Sequence, residues 1–231
     1  MEIVCADALE YLATFCDDSI DLIILDPDYQ DWEALINRGL IRESIRVLKP
    51  SGNVLCFTKQ PFDLALRLAV NQWFRREIVW TFDNGGAWCS AKMPLMSAQK
   101  IYWLVKSKEF YFNPRTGVAY SENTKDFKRK SKVFGDYEAE GRQFTKSDDG
   151  VWIRDHLHYN KPNTGKIPSK PKELINILVR CFSPDGGSVL DPFAGNGTTA
   201  HACEMLGRES FSSEILEDRA MALLDKYFDE E

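Results

Sequence analysis

With 231 residues, 44% of them hydrophobic, the chain is long enough to bury the core of one domain and to carry an inserted module. It contains no run of the roughly 18 apolar residues that a membrane-spanning helix needs, and it begins without the basic and apolar regions of a signal peptide. The net charge of −6 argues weakly against a polyanionic partner.

The distribution of charge along the chain weakens the argument against a polyanionic partner. Residues 1–50 carry a net charge of −7 and residues 201–231 one of −6, whereas residues 51–200 carry +7. A basic middle region fits a nucleic-acid-binding face on an acidic body, and it fits a solvated charged loop equally well. The six cysteines form no Cys-x-x-Cys pair, so we expect reduced thiols in a cytoplasmic protein.

The first hundred residues alternate between patterns typical of strands and of helices. Apolar strands are predicted at EIVC, DLIILD, NVLCFT, REIVWTF and KIYWLVK. Helices are predicted over Asp7–Thr14, Trp32–Leu48 and Pro61–Asn71. Continuous apolar strands that alternate with helices predict an α/β fold with a doubly wound, mostly parallel sheet.

From about Ser107 to Ile167 this periodicity is lost, and the segment is polar, aromatic and basic. Its densest basic run suits contacts to phosphate groups, although a flexible charged loop would have the same composition. The run consists of Lys125, Lys128, Arg129, Lys130 and Lys132. We therefore expect an insert over residues 107–160 between the two parts of one domain, residues 1–106 and 161–231.

Strand–helix alternation resumes after Pro171. Helices are predicted over Lys172–Cys181, Thr198–Leu206 and Asp218–Phe228, and strands at SVLD and SFSSE. The strand SVLD leads into the turn PFAGNG, in which Gly195 and Gly197 permit a tight turn and a close approach to a ligand. The helix that follows points its N-terminal amides at this turn.

Acidic residues mark the ends of three predicted strands. Glu214 follows Asp191 by 23 residues, a spacing that suits a ribose-binding carboxylate in a nucleoside site. The turn lacks the third glycine of a dinucleotide site and the Lys-[Ser/Thr] pair of a phosphate loop. At the end of DLIILD the chain continues through Pro27, Asp28 and Tyr29, so a carboxylate, a restrained backbone and an aromatic ring meet at one point.

These motifs carry a resemblance to a known family. DPFAGNGTT resembles motif I, the S-adenosylmethionine site, of amino-group DNA methyltransferases, and DPDY resembles their motif IV, usually Asp-Pro-Pro-Tyr. Motif IV precedes motif I here, and KIPSKPKELINILVRCFS lies just before motif I, which resembles the circularly permuted β group. The resemblance covers nearly the whole chain except about residues 107–160, where the family carries its variable target-recognition region.

The resemblance implies a Rossmann-like methyltransferase fold that transfers a methyl group from S-adenosylmethionine to double-stranded DNA. The Asp-led form of motif IV implies adenine N6 as the acceptor. Cytosine N4 is an alternative, as is a weakened relative that binds cofactor and DNA without methylating. The resemblance further implies a prokaryotic or phage-encoded restriction–modification enzyme, acting in the cytoplasm as a homodimer and without a metal ion.

The chemistry of the reaction explains the residues at the first strand end. The lone pair of an exocyclic amine is delocalised into the base, so transfer needs an acceptor that binds its N–H groups and aims the lone pair. Asp26 and the carbonyl of Pro27 are the expected acceptors, and Tyr29 is expected to stack on a base swung out of the duplex. These three residues are the predicted catalytic group.

The resemblance implies which residues bind the cofactor, because their positions match those of the cofactor-binding residues in the family. They are Asp7, Ala8, Lys170, Asp191, Phe193, Gly195, Gly197 and Glu214. Asp7 is equally typical of a helix N-cap, and Phe193 of core packing. One position departs from the pattern, because Asp28 replaces the second proline of motif IV; it is either a solvated turn residue or a change that alters activity.

Overall fold

The structure is a computed structural model of the chain. It describes residues 1–84, 94–119, 127–129, 142–144, 149–163 and 169–228, with the backbone alone described for 127–129 and 142–144. Contacts divide the chain into one unit that comprises Met1–Asn113 and Arg154–Glu231 and a second unit that comprises Pro114–Ile153. The second unit is narrower than the predicted insert at each end.

The described part of the first unit contains an eight-stranded mixed sheet, and that of the second a two-stranded ribbon. In chain order the strands are β1 (Glu2–Cys5), β2 (Ile20–Leu25), β3 (Leu48–Thr58), β4 (Phe74–Thr81), β5 (Ala98–Val105), β6 (Phe127–Arg129), β7 (Arg142–Phe144), β8 (His156–His158), β9 (Ser188–Asp191) and β10 (Glu209–Glu214). The large sheet has the order β1-β10-β9-β2-β3-β5-β4-β8, and β6 pairs with β7 antiparallel.

Helices connect most of the strands of the first unit. They are α1 (Ala8–Leu12), a 3-10 turn (Tyr29–Asp31), α2 (Trp32–Asn37), α3 (Leu40–Val47), α4 (Asp63–Ala69), α5 (Lys172–Phe182), α6 (Thr198–Leu206) and α7 (Glu217–Phe228). No helix in the described ranges combines the length and the apolar character needed to cross a membrane. The described cysteines, at positions 5, 16, 56, 181 and 203, form no disulfide bond with one another, and Cys89 lies outside the described residues.

Two features of the fold differ from the sequence prediction. The single helix expected over Trp32–Leu48 is broken at Gly39, whose φ of +97° is left-handed and incompatible with a continuous helix. Strand β5 runs antiparallel to both β3 and β4, so the sheet is mixed. No helix is predicted between β4 and β5, and an antiparallel pair needs no crossover helix.

The common direction of the other strands determines where the functional residues meet. Every strand of the large sheet except β5 points the same way, since the β1-β10-β9-β2-β3 set and the β4-β8 pair are parallel and β5 opposes both. The carboxyl ends of these strands therefore lie along one edge of the sheet. This is the edge at which an open α/β sheet binds its ligands.

A buried asparagine joins the sheet to the elements around it. The side chain of Asn53 is fully buried on β3, and its Nδ2 donates to the carbonyls of Tyr111 (2.9 Å) and Phe182 (2.8 Å). Its Oδ1 accepts from Nε1 of Trp103 at 2.7 Å. The Trp103 ring in turn packs edge-on against Phe182, with centroids 5.0 Å apart. One side chain thus satisfies three buried polar groups from β5, from α5 and from the segment after β5.

We expect Asn53→Ala to destabilise the protein severely, because it leaves those three groups without partners. At about 1–3 kcal/mol for each unsatisfied buried group, the free energy of unfolding should fall by roughly 3–5 kcal/mol. Urea denaturation measures this change. Asn71→Ala is the matched control, since Asn71 is exposed and pairs with Arg67 at the surface, and it should cost less than about 0.5 kcal/mol. Equal unfolding midpoints for the two variants would contradict the assignment.

Candidate active site

Four neighbouring parallel strands deliver carboxylates to the same edge of the sheet. Asp7 follows β1, Glu214 ends β10, Asp191 ends β9 and Asp26 follows β2, and the strands lie in that lateral order. Adjacent strands are about 4.8 Å apart, so the four acids form a row along one half of this edge, from the outermost strand β1 to β2. The structure thus brings the predicted residues of the two motifs together.

The turn after β9 is fixed by the acids that flank it. The amide of Phe193 donates to Oδ1 of Asp191 (3.0 Å), and the amide of Gly195 donates to Oε2 of Glu214 (3.1 Å). Gly195 and Gly197 have φ values of +52° and +70°. A Cβ on Gly197 would lie 2.7 Å from Cδ2 of Leu223, whereas one on Gly195 would have only the Phe193 carbonyl, at 3.9 Å, within 4 Å. Gly197 therefore packs against α7, and Gly195 leaves an open surface.

Asp7 is the N-cap of α1. Its Oδ1 accepts from the amides of Leu9 (2.9 Å) and Glu10 (3.4 Å) and from Nη2 of Arg38 (2.9 Å). Ala8 is buried in the first turn behind it. The N-cap interpretation of Asp7 is therefore present in the structure, and contact with a ligand stays a prediction.

Two cavities open beside the glycine turn. The larger, about 750 Å³, lies among the start of α5, the start of α6 and α7. The smaller, about 40 Å³, is lined by Asp26, Asp191 and Phe193. Both are also lined by Lys170 and Gly195. Of the predicted catalytic and cofactor-binding residues, Asp26, Lys170, Asp191, Phe193 and Gly195 line one or both cavities, and the others line neither: Asp7, Ala8, Pro27, Tyr29, Gly197 and Glu214.

Asp26 forms an ion pair with Lys170, and both side chains are mostly buried. The Lys170 ammonium also lies over the Phe57 ring, 4.9 Å from its centroid. Burial raises the pKa of Asp26 above its usual range, while the charge and hydrogen bond of Lys170 act in the opposite direction. Burial likewise raises the pKa of Asp191 to about 6, against hydrogen bonds from Thr199 and the Phe193 amide.

The Tyr29 ring is buried at the same point. Its hydroxyl donates to Oε1 of Gln99 at 2.8 Å, which fixes the ring against β5. The ammonium groups of Lys59 and Lys170 lie 5.4 and 5.6 Å from the ring centroid. In this conformation the ring does not present a bare stacking face, so a base would have to displace at least one lysine side chain to stack on it.

Asp28 does not line the smaller cavity, which we call the Asp26 recess. It is exposed and caps the 3-10 turn, accepting from the amide of Gln30 (3.5 Å) and from its Nε2 (3.3 Å). Pro27, between Asp26 and Asp28, is buried. The structure agrees with the interpretation of Asp28 as a solvated turn residue.

Most of the basic run that was predicted to bind DNA lies outside the residues that the structure describes. Lys125, Lys130 and Lys132 lie outside the described residues, and Lys128 and Arg129 are described only as backbone of β6. Sequence reasoning missed three residues around Asp26 that the structure adds: Lys59, Gln99 and Lys161. Lys59 directly follows the predicted strand NVLCFT, so its strand-end position was available as a signal. The other two depend on the direction of β5 and on β8, neither of which was predicted.

Comparisons with known proteins agree with this geometry. The family model N6_N4_Mtase, described as DNA methylase, matches residues 20–223. The type II methyltransferase M.HpaI of Haemophilus parainfluenzae is 26% identical over 232 residues, which cover 92% of this chain and 69% of that protein. The DNA adenine methyltransferase YhdJ of Escherichia coli is 27% identical over 235 residues, covering 92% and 78%.

A solved structure confirms the predicted fold class. The crystal structure of the M1.HpyAVI–SAM complex superposes with a TM-score of 0.70 at 19% identity, covering 98% of each chain. At this identity the likeness establishes the Rossmann-like methyltransferase fold and leaves the ligands of this chain to be argued from its own residues.

Replacement of Lys170 by methionine should raise the pKa of Asp26 further, because the ammonium opposes the effect of burial more strongly than the hydrogen bond of Tyr29 does. Carbon-13 NMR titration of aspartate-labelled protein measures the shift, with Asp26→Asn to assign the resonance. Lys170→Arg should keep the pKa near that of the parent. Lys108→Met, which removes an exposed lysine beyond the opposite end of β3, should leave it unchanged. An Asp26 titration unaffected by Lys170→Met would contradict the ion pair.

Proposed function

The chain belongs to the N6_N4_Mtase family of DNA methylases, and from this membership we propose that it methylates the exocyclic N6 of adenine in double-stranded DNA, with S-adenosylmethionine as the methyl donor. One observation carries the proposal. Asp26, at the end of β2, and the glycine turn, at the end of the neighbouring β9, border the same recess. A methyl acceptor held at the first and a nucleoside held at the second would be adjacent.

The residues present fit S-adenosylmethionine. The Glu214 carboxylate is held in place by the amides of Gly195 and Leu216, each at 3.1 Å, and would face a ribose. The open surface of Gly195 admits a ligand close to the backbone. When bound, the cofactor supplies a methyl group already activated on a sulfonium centre. The name of the M1.HpyAVI–SAM complex supports this assignment by analogy of fold.

Residues of the chain bind and orient the target amine. Charged Asp26 accepts an N–H of the target amine, and the Pro27 carbonyl accepts another, so the nitrogen lone pair is aimed at the methyl group. A restrained Asp-Pro backbone holds these acceptors in place before the base arrives. Lys170 donates to Asp26 in the structure, and the amine takes over a hydrogen bond that Lys170 makes there. Electrostatic preorganisation of this kind is a major source of rate enhancement.

Adenine is preferred over cytosine on the strength of the Asp-led motif IV. The family covers both N6 of adenine and N4 of cytosine, so cytosine N4 is the second candidate. The exposed, capping position of Asp28 favours an active enzyme over a weakened relative, because the carboxylate of the substituted residue does not line the Asp26 recess. We also propose that the motif order places the chain in the permuted β group.

The target-recognition role of residues 107–160 is part of the proposal. Pro114–Ile153 forms a contact cluster of its own, which supports its treatment as an insert into the methyltransferase sheet. The basic run within it would bind phosphate groups, and assembly as a homodimer is the arrangement that the β-group resemblance implies. The names of the bacterial relatives support a role in DNA modification of the restriction–modification type, in the cytoplasm of a prokaryotic or phage-infected cell.

Asp26→Asn should lower the single-turnover rate of methyl transfer by on the order of a hundredfold or more, because the amide cannot replace the charged acceptor. Its affinity for S-adenosylmethionine, measured by calorimetry, should stay near that of the parent, whereas Gly195→Val and Glu214→Ala should weaken it. Asp185→Asn removes an almost fully exposed carboxylate just before β9, at the other end of that strand, and should change neither quantity.

Nucleoside analysis of plasmid DNA from cells that express the parent protein identifies the acceptor. We expect N6-methyladenine, and its loss with Asp26→Asn. N4-methylcytosine instead would overturn the adenine assignment but keep the active site. A normal transfer rate in Asp26→Asn would overturn the site itself.

A further inference from the structure

Three lysine ammonium groups lie over aromatic rings at the edge of the sheet that carries Asp26. Lys59, after β3, and Lys170, before α5, both lie over the Tyr29 ring, as described above. Lys161, after β8, lies 3.9 Å from the centroid of the Phe82 ring. Burial lowers the pKa of Lys161, and the positive charges of Lys59 and Lys170 lower it further, which shows that the three groups feel one another.

These lysines differ in their partners. Lys170 is paired with Asp26, but no carboxylate in the described part of the chain lies within 4 Å of the ammonium of Lys59 or Lys161. Asp83, at the same end of the sheet as Lys161, pairs instead with His158 at 3.2 Å. Partly buried positive charges without a protein counterion are unfavourable, so an anion from outside the chain would stabilise them.

Hydrogen bonds fix the backbone around Lys161. The side chain of Asn84 donates to the Lys161 carbonyl (2.8 Å) and accepts from its amide (2.9 Å). The preceding residue, Asn160, accepts from the Asp83 amide at 2.8 Å. One residue earlier, the Tyr159 carbonyl accepts from Nε1 of Trp80 at 2.7 Å. Four hydrogen bonds thus fix the backbone that carries Lys161 to the end of β4.

A flipped nucleotide offers an anion of the right chemistry. When a base rotates out of the duplex to reach an active-site pocket, its sugar–phosphate backbone has to be held while the base turns. The phosphodiester groups that flank the target base are therefore brought to the edge at which Asp26 lies. Lysines bind phosphate as point charges, so two of them on separate strand ends can grip one backbone from different directions.

We propose that Lys59 and Lys161 bind the DNA backbone phosphates that flank the target nucleotide, one phosphate to each lysine. The inference rests on the proposed function, since it takes the base at Asp26 as given. It assigns a DNA contact to the sheet itself, separate from the basic run at residues 125–132. Lys170 stays with Asp26 and is not part of this phosphate site.

Salt-dependent DNA binding tests the proposal. Fluorescence anisotropy is recorded for the parent, Lys59→Gln, Lys161→Gln, the double variant, Lys161→Arg and the exposed control Lys108→Gln, on a duplex that carries the methylated sequence mapped for the parent. Each lost phosphate contact should reduce the slope of log K against log salt by about 1, so the double variant should lose about 2. Lys161→Arg and Lys108→Gln should keep the slope of the parent.

Further readouts separate the alternatives. Calorimetry should give the parent's affinity for S-adenosylmethionine in both Gln variants, and circular dichroism should show that each is folded. Loss of cofactor affinity with an unchanged salt slope would mean that the lysines serve the cofactor, and it would overturn the proposal. A parent slope in the double variant, or an equal loss in Lys108→Gln, would overturn it too. A parent protein that neither binds nor methylates DNA would instead refute the proposed function.

Discussion

The ion pair between Asp26 and Lys170 is the contact on which the active site depends. It joins two positions 144 residues apart, one at the end of β2 and one just before α5. A mostly buried carboxylate without this partner would be protonated or would carry a large desolvation penalty. The charge and the hydrogen bond of the partner lower the pKa of Asp26 and so oppose the effect of burial. The same ammonium covers the aromatic rings of Phe57 and Tyr29, so a single lysine influences both the protonation of Asp26 and the shape of the recess.

Strand direction brings the other parts of the site to that pair. Because all strands of the large sheet except β5 point the same way, their carboxyl ends place the row of acids, the glycine turn and two further lysines along one edge. The acids serve different purposes. Glu214 is held by two turn amides, one on each oxygen, whereas Asp26 is held by a lysine side chain. The Glu214 side of the site, which backbone amides hold, suits a cofactor. The Asp26 side, where the hydrogen-bond partner is a side chain, suits a base that enters and leaves with each turnover.

Local patterns predicted some parts of this arrangement to the residue. The strand SVLD and the helix Thr198–Leu206 have the predicted bounds, because a short apolar run between glycines leaves little choice of register. The break at Gly39 was missed, since the apolar periodicity continues across a residue whose left-handed backbone only the fold requires. The direction of β5 and the pairing of β8 with β4 depend on contacts distant in sequence, and a three-residue strand carries almost no pattern. Gln99 and Lys161 were therefore beyond reach, as was the pairing of Lys170 with Asp26, while a cofactor contact of Lys170 stays a prediction.

We propose that Lys170 favours the charged form of Asp26, which in the proposed mechanism accepts the target amine. The pH dependence of single-turnover methyl transfer tests it most directly, with the parent compared with Lys170→Met. Transfer needs ionised Asp26, so the rate falls on the acid side of the Asp26 pKa. Because the loss of Lys170 raises that pKa, the acid limb of the profile should move to higher pH, while Lys170→Arg should keep the profile of the parent. An acid limb at the same pH in Lys170→Met and in the parent would contradict the account.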